Sequence, residues 1–425
     1  MKRIIVIVLS LSIVLAFLFW RFSPSFMEQK PKGPITLTYW GLLEEKILME
    51  PVISQFEAQN PNIKVKYYLQ SPTNYRTRVQ TQIREGVGPD VFKIHNSWLP
   101  MFINDLAPAP KDVLSIAEYK ENFYPVAVSS FVRGENIYGA PTEIDGLALY
   151  VNVELLAGVG NPPQNWREFI DTAVKMTVRD SSTGQIQTAG AALGTATNVD
   201  HWSDILGLLI LQQPGASLEN PATSPTAEVL RFYTGFVTDP RKKTWDLNLS
   251  PSTQMFTQGK LGYFFAPSWR ARELRAANPN LKFKVVPVPQ LSSAVVAWAN
   301  FWSEGVSKTS KNPKEAWIFA KFLTSKDAQR ILFDETSKAN LFGKPFSRID
   351  LAGELSNDPI LGAYVAQGPI YKSWYLSSNT LEGDINFEII KYFKDAVDQT
   401  LAGSDPQAAL QNISSGVTQV LNQYR

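Results

Sequence analysis

The chain has 425 residues, of which 44% are hydrophobic and 19% charged, so it is long enough for two or three domains and too polar for a polytopic membrane protein. Its 41 basic and 39 acidic residues nearly balance, and no run of basic residues alternates with aromatics, which argues against nucleic acid as a partner. Cysteine is absent, which excludes disulfides, thiol catalysis, cysteine zinc sites and a lipid-modified N-terminal cysteine.

The N-terminus predicts a membrane anchor. Lys2 and Arg3 precede an uncharged, mainly apolar run over 4–20. A spanning helix needs about 17 to 25 such residues, whereas the apolar part of a cleavable signal needs only about 7 to 15. No small-residue cleavage site follows clearly, so we expect residues 1–22 to stay attached, with a cleaved signal as the alternative. Residues 23–34 would be a spacer, and the basic N-terminus places the rest outside the cytoplasm, in the periplasm or beyond the cell.

The first part of the body predicts strands that alternate with helices. The strands are expected at 35–41, 63–68 and 90–94, and the helices carry Leu48, Val52 and Phe56, where Pro51 could interrupt, and then Tyr75, Val79 and Ile83. Such alternation is typical of a parallel sheet, whose ligands bind beyond the carboxyl ends of its strands. Trp40 ends the first strand and Trp98 follows the third, so both are expected on the ligand-facing edge.

The middle of the chain is less regular. Two extended pieces are expected between 137 and 150, and strands at 261–265 and 283–288, with mostly helix after 306. If 295–306 forms one strand, its alternate residues Trp298, Asn300 and Trp302 share a face. By contrast, Trp166, Trp245 and Trp317 lack polar neighbours and are expected in the core.

Six segments together resemble a known family. They are ITLTYWG at 35–41, FEAQNPNIKV at 56–65, GVGPDVF at 86–92, IYGAPTEIDGLALYVN at 137–152, FTQGKLGYFFAPSW at 256–269 and NPKEAWIFAKFLTS at 312–325. Their order and spacing are similar to those of the family 1 extracellular solute-binding proteins of ABC importers, which include maltose-binding protein. The resemblance implies two α/β lobes of the periplasmic-binding-protein kind, joined by hinge crossings around an aromatic-lined cleft.

Carried onto this chain, the resemblance divides it between two lobes. The first would hold 35–143 and 303–348, and the second 144–302 and 349–425. The crossings would fall near 143–147, 301–305 and 348–353. Many relatives carry a cleaved signal or a lipidated cysteine; here the N-terminal helix would supply the tether instead.

The implied ligand is a carbohydrate, expected to be an oligosaccharide, that a monomeric protein passes to the permease of an ABC importer without cofactor or metal. A sugar presents hydroxyls at its rim and apolar C–H faces, so its site needs flat aromatics and polar side chains. The candidate ligand-binding residues are Trp40, Glu45, Asn96, Trp98, Glu143, Asp145, Trp269, Arg270, Trp302 and Trp374.

Other ligands and an enzyme remain as alternatives. Sugar phosphates, polyols or peptides are the runner-up ligands; Arg270 and Arg76 could serve a phosphate, but no glycine-rich phosphate loop accompanies them. Glu143 and Asp145 are spaced about as two glycosidase carboxyls are, yet neighbours on one strand rarely flank a bond from opposite sides. His95 and His201 lie in no catalytic motif. A binding protein is therefore favoured over an extracellular hydrolase.

Overall fold

The computed structural model describes residues 33–42, 44–291, 294–339, 343–378, 380 and 385–424. The expected anchor at 1–22 and most of the spacer at 23–34 lie outside these residues. Within the described ranges, none of the helices combines the length and the apolar character needed to cross a membrane.

The described residues up to 141 follow the expected alternation. The strands are β1 (Ile35–Gly41), β2 (Ile63–Leu69), β3 (Val91–His95), β4 (Val132–Arg133), β5 (Asn136–Ile137) and β6 (Ala140–Pro141). The helices are α1 (Lys46–Gln59), α2 (Tyr75–Arg84), α3 (Leu99–Phe102), α4 (Ile116–Asn122) and α5 (Pro125–Phe131). The first three strands and the two helices between them are confirmed.

Helix α1 runs through Pro51 without a break, so the expected interruption is wrong. Proline removes only one backbone hydrogen bond, and it does so in the second turn. Leu48, Val52 and Phe56 lie on the buried face of the helix, at the predicted spacing of four residues. Their packing outweighs the lost bond, because helices in proteins depend mainly on tertiary contacts.

The middle of the chain forms a second set of elements. Its strands are β7 (Ala148–Asn152), β8 (Val178–Arg179), β9 (Ile186–Ala191), β10 (Leu261–Ala266) and β11 (Phe283–Val286). Its helices are α6 (Val153–Leu156), α7 (Trp166–Met176), α8 (Trp202–Gln212), α9 (Ser224–Thr238), α10 (Ser252–Thr257) and α11 (Arg270–Ala277).

The last part is mostly helical, as expected. Its short strands are β12 (Ala297–Trp298), β13 (Trp302–Val306) and β14 (Tyr371–Lys372). Its helices are α12 (Pro313–Leu323), α13 (Lys326–Lys338), α14 (Ala352–Leu355), α15 (Leu361–Gln367), α16 (Ile385–Leu401) and α17 (Pro406–Asn422), with single 3₁₀ turns at Ile349–Leu351 and Gly368–Ile370.

Two five-stranded sheets organise the molecule as two α/β lobes. The first lobe is built on the order β2-β1-β3-β13-β6, with β1 parallel to β2 and β3 and with β13 antiparallel to β3. The second lobe is built on β11-β7-β10-β9-β8, with β10 parallel to β9 and antiparallel to β7. Each sheet contains parallel strands, as the sequence predicted. The residue limits of the lobes remain a prediction.

Aromatic side chains fill both cores. In the first lobe Phe319 packs edge to face on Tyr39, with ring centroids 5.4 Å apart. Trp166 is buried against the sheet of the second lobe, where Trp245 has no exposed surface, and Trp317 is equally buried in the first lobe. The prediction that these three tryptophans belong to the core is confirmed.

The lobes are joined by crossings that pair with each other. The Leu147 N–H donates to the Trp298 carbonyl at 2.9 Å, and the Asn300 N–H donates to the Asp145 carbonyl at 2.9 Å. A Cβ on Gly146 would lie 1.9 Å from the Trp298 carbonyl oxygen, so this close approach requires glycine. The first two crossings therefore form a short antiparallel ribbon at the junction of the lobes.

Residues 295–306 do not form one strand, so the condition under which Trp298, Asn300 and Trp302 would share a face is not met. Trp298 ends β12, which pairs with β14, whereas Trp302 begins β13 in the first sheet. The chain passes from one lobe to the other between these two tryptophans. Trp298 and Asn300 nevertheless reach the same partner, because both donate to Oδ1 of Asp204.

Candidate functional site

A chain of hydrogen bonds connects the lobes at their junction. At the end of β3, His95 lies with Nδ1 2.7 Å from the Ser97 hydroxyl and Nε2 2.8 Å from Oδ1 of Asn300. Asn300 in turn donates to Oδ1 of Asp204 on α8 at 3.0 Å. The edge of the first sheet is thus linked, through a crossing, to a helix of the second lobe.

The same network continues into the second lobe. The Ser378 N–H donates to Oδ2 of Asp204 at 3.0 Å, and the Ser378 hydroxyl lies 3.1 Å from Nδ1 of His201. Nε2 of His201 lies 3.3 Å from Nη2 of Arg270. The buried Asp204 carboxylate therefore serves as a common acceptor, as a buried acid requires.

Burial sets the protonation of these groups. It lowers the pKa of His95 to about 4. For His201, burial and then the charge of Arg270 lower the pKa to about 3. Burial also raises the pKa of the Asp204 carboxyl above its ordinary value. Both imidazoles are neutral at pH 7, so each can donate through one nitrogen and accept through the other.

Trp269 is the most exposed of the candidate tryptophans. Its side chain follows β10 at the start of α11, and 38% of the residue is exposed. Helix α11 buries Ala271 and Leu274, and the side chain of Arg270 is itself mostly buried, whereas Trp269 precedes the helix. The Arg270 guanidinium carbon lies 4.3 Å from the indole centre, a cation–π contact, and its terminal nitrogen pairs with Glu273.

Asp145 fixes the turn that presents Trp269. Its carboxylate accepts from the Ser268 hydroxyl at 2.7 Å, from the Ser268 N–H at 3.1 Å and from the Gly146 N–H at 2.7 Å. Burial raises the pKa of Asp145 to about 7, although the bonds from Ser268 and Gly146 act in the opposite direction. The carboxyl holds a second-lobe turn from within the first crossing.

Glu143 points to different partners from Asp145. Its Oε1 accepts from the Trp302 N–H at 3.2 Å, and its Oε2 forms an ion pair with Lys344. The two carboxyls that the hydrolase alternative needs are thus each engaged by protein groups in separate parts of the molecule. Glu143 and Asp145 were expected to share one face of an extended segment, but their side chains contact different partners.

Trp98 does not lie at an exposed edge, contrary to the expectation from its position after β3. Helix α3 begins directly after it, and the indole has no exposed surface. It stacks on Phe102 at 5.7 Å and contacts Trp302 edge to face at 5.1 Å. Trp302 is itself buried, with His95 5.1 Å from its ring. This pair supports the end of β3 from inside the first lobe.

Two first-lobe candidates lie nearer the surface. Trp40 is half-buried in β1, where its nearest strand partners are Tyr68 and Phe92. Glu45 is exposed and precedes α1 without a capping hydrogen bond from its side chain. Trp40 lies at the carboxyl end of β1 and Glu45 follows it, at the edge where ligands of such sheets bind.

Asn96 lies beside Ser373, the residue before Trp374. The Asn96 amide donates to the Ser373 hydroxyl at 2.8 Å, and its oxygen accepts from the Phe301 N–H at 3.2 Å. Trp374 is half-buried, with Phe393 6.5 Å away edge to face. The structure therefore brings Asn96 next to the segment that carries Trp374, although 277 positions separate Asn96 from Ser373.

The sequence interpretation missed the central acid of the network. Asp204 is the lone carboxylate in the apolar helix α8, WSDILGLLILQ, and is buried. That pattern is itself a signal, because an ionisable side chain on a buried helix needs several donors. Across the described ranges, no group of three or more His, Asp or Glu side chains is arranged to hold a metal ion.

Two α/β lobes, paired crossings and a junction lined by aromatic and polar side chains together define a two-lobed solute-binding protein. Residues 40–330 match the family model of the bacterial extracellular solute-binding proteins. This match covers more than half of the chain, and the protein belongs to that family. The resemblance inferred from the six sequence segments is therefore confirmed.

Known proteins similar to this chain share the fold. The sugar-binding protein MalE of Xanthomonas citri has a TM-score of 0.73 at 18% identity, covering 91% of this chain and 98% of its own. An ABC substrate-binding protein of Listeria monocytogenes in complex with cycloalternan has a TM-score of 0.68 at 21% identity, covering 92% and 99%. A protein of Brucella abortus (strain 2308), provisionally named a binding protein, is 26% identical over 283 residues, covering 65% of this chain and 68% of the relative.

Proposed function

We propose that this protein captures a carbohydrate, expected to be an oligosaccharide, between its lobes and delivers it to an ABC importer. The observation that carries the proposal is the exposed indole of Trp269, which Asp145 and Arg270 fix at the junction. A rigid, partly exposed aromatic beside hydrogen-bonding side chains suits the apolar face and hydroxyl rim of a sugar.

The ligands of similar proteins support a carbohydrate. The Listeria protein is in complex with cycloalternan, and a cyclo/maltodextrin-binding protein at 18% identity is in complex with maltotetraose. A Thermotoga lettingae solute-binding protein at 21% identity is bound with α-D-tagatose. At these identities the likeness concerns the fold, so the ligand of this chain rests on its own side chains.

The candidate residues divide by exposure into two proposed roles. We assign direct contact with the sugar to the more accessible side chains, which are Trp40, Glu45, Trp269, Arg270 and Trp374. The buried ones, which are Asn96, Trp98, Glu143, Asp145 and Trp302, support the site from behind. In this arrangement, stacking comes from both lobes and the buried carboxyls hold the crossings.

The proposal also includes how the protein is held at the cell surface. Residues 1–22 act as an uncleaved membrane anchor and 23–34 as the spacer, and the protein works as a monomer. The lobes comprise 35–143 with 303–348, and 144–302 with 349–425. Mass determination of the mature chain tests the anchor, because a mature N-terminus near Phe26 would mean that the run is a cleaved signal.

A thermal-shift screen of the purified full-length chain tests the ligand class. A carbohydrate at 100 times its dissociation constant adds about 2.7 kcal/mol to the free energy of unfolding, which raises the melting temperature. Sugar phosphates, polyols and peptides form the comparison panel. A shift confined to one of those would replace the carbohydrate, and release of shorter sugars during incubation would point to a hydrolase.

Closure of the lobes tests the delivery mechanism. A ligand that contacts both lobes favours the closed state by its differential affinity. Small-angle scattering should give a smaller radius of gyration with the carbohydrate than without it, while the circular dichroism spectrum is unchanged. An equal radius at saturation would mean that the sugar binds to one lobe only, and the importer would then lack a closed shape to recognise.

A further inference from the structure

Five buried or partly buried charges lie together inside the first lobe, and one of them, Glu143, also supports the proposed sugar site. Lys93 of β3 pairs with Glu304 of β13 at 2.8 Å and lies 3.9 Å from Glu44. Lys344 pairs with both Glu44 and Glu143. Three carboxylates thus face two ammonium groups, and one negative charge is in excess when all five are ionised. Such an excess is costly in a low-dielectric interior.

The cluster borders an enclosed cavity. Glu44, Lys93, Glu304 and Lys344 line it together with Gln329, and it offers about 30 Å³ to water-sized occupants. That volume is roughly the share of one water molecule in the liquid. The rest of the lining combines the apolar side chains Met49, Leu323, Leu332, Phe333 and Phe346 with the hydroxyl groups of Tyr39, Thr142 and Thr336. One small occupant therefore fits beside both polar and apolar side chains.

Three oxygen atoms on the cavity-lining residues lack a hydrogen bond from any described residue. They are Oε2 of Glu44, Oε2 of Glu304 and Oε1 of Gln329, and all three residues are more than nine-tenths buried. The amide of Gln329 cannot be reversed to remove its orphan, because its nitrogen donates to the Ser347 hydroxyl, which itself donates to the Pro141 carbonyl. All three oxygen atoms are hydrogen-bond acceptors, so the partner that satisfies them must be a hydrogen-bond donor or a cation.

We propose that this cavity binds one small monovalent cation. The cation neutralises the excess carboxylate and supplies the partner that the three oxygens of Glu44, Glu304 and Gln329 lack. Carboxylate and amide oxygens are suited to hard cations, and a cavity of about 30 Å³ has room for a single ion. The residues belong to β3, β13, the β1–α1 loop and α13, so the ion ties together elements that are distant in sequence.

Thermal unfolding of the full-length chain in matched chloride salts tests the proposal. Sodium, potassium and ammonium are compared with choline at equal ionic strength and pH 7.5, because choline is too large for the cavity. At least one small cation should raise the melting temperature by about 2 to 4 °C relative to choline. The rise should level off as the concentration of that cation increases. The comparison among the three ions identifies which one the cavity accepts.

Two variants separate the cavity from general salt effects. Glu304→Gln removes the excess charge and should abolish the cation-dependent rise. The matched control Glu335→Gln changes a half-buried glutamate of α13 that pairs with Lys338 and does not line the cavity, so the cation-dependent rise should remain. Equal melting temperatures of the parent chain in all four salts would overturn the proposal and leave water or a proton as the occupant. A rise that persists in Glu304→Gln would place the ion elsewhere.

Discussion

Two tryptophans that follow sheet strands have opposite environments. Trp98 comes after β3 and is fully buried, whereas Trp269 comes after β10 and is 38% exposed. The difference lies in what holds each indole. Trp98 is held by aromatic rings on several sides, and Trp269 by a polar turn anchored on Asp145. The same position in a strand–helix unit can therefore supply either core or binding surface.

Replacing Trp98 by alanine should cause the largest loss of stability, because this indole belongs to the core and not to the binding surface. Removing a buried indole costs about 3 to 5 kcal/mol of the free energy of unfolding. Urea unfolding followed by circular dichroism measures it. Trp98→Phe is the matched control and should retain most of the stability. A Trp98→Ala chain as stable as the parent would show that the indole is not an essential part of the first core.

Replacing Asp145 by asparagine should reveal the polar support of Trp269 through its pH dependence. The folded-state pKa of Asp145, about 7, lies above that of the unfolded chain, so its stabilising contribution is complete below about pH 4 and is lost as the pH rises through 7. At about 1.4 kcal/mol per pKa unit, this contribution to the free energy of unfolding is at most about 4 kcal/mol.

Urea unfolding of both chains at pH 5 and pH 8 provides the measurement. The parent should lose more stability than Asp145→Asn between the two values, and the contributions of His95 and His201 are common to both chains. Identical changes in the two chains would mean that Asp145 titrates as it does in the unfolded state. The Asp145 carboxylate would then hold the turn before Trp269 in its ionised form over this whole pH range.

Replacing Trp269 by alanine should spare stability and weaken binding. One indole face buries about 100 Å², worth about 2 to 3 kcal/mol, so the dissociation constant for the sugar found in the screen should rise tens-fold or more. Calorimetric titration measures the dissociation constant. The core variant Trp166→Phe is the control, because it replaces a tryptophan that lies away from the proposed site. Unchanged affinity in a folded Trp269→Ala chain would remove the observation on which the carbohydrate proposal rests.

Sequence patterns predicted the alternation of the first lobe well, because β1, β2 and β3 carry regular apolar spacing that burial requires. They could not predict the face of Trp98, which depends on how tightly α3 folds back after β3. Nor could they predict that Glu143 and Asp145 have different partners. Those two residues are neighbours in the chain, but the first crossing carries one toward Lys344 and the other toward Ser268.

The strand order of the first sheet has a consequence for biosynthesis. Strand β13 lies between β3 and β6, yet Trp302 is made 161 positions after Pro141, the end of β6. Until it arrives, the nascent first lobe has an unpaired β3 edge, and the late pairing closes a long loop, which slows folding. Open strand edges invite aggregation, so the emerging polypeptide has to be kept apart from other chains until about three-quarters of it has been translated.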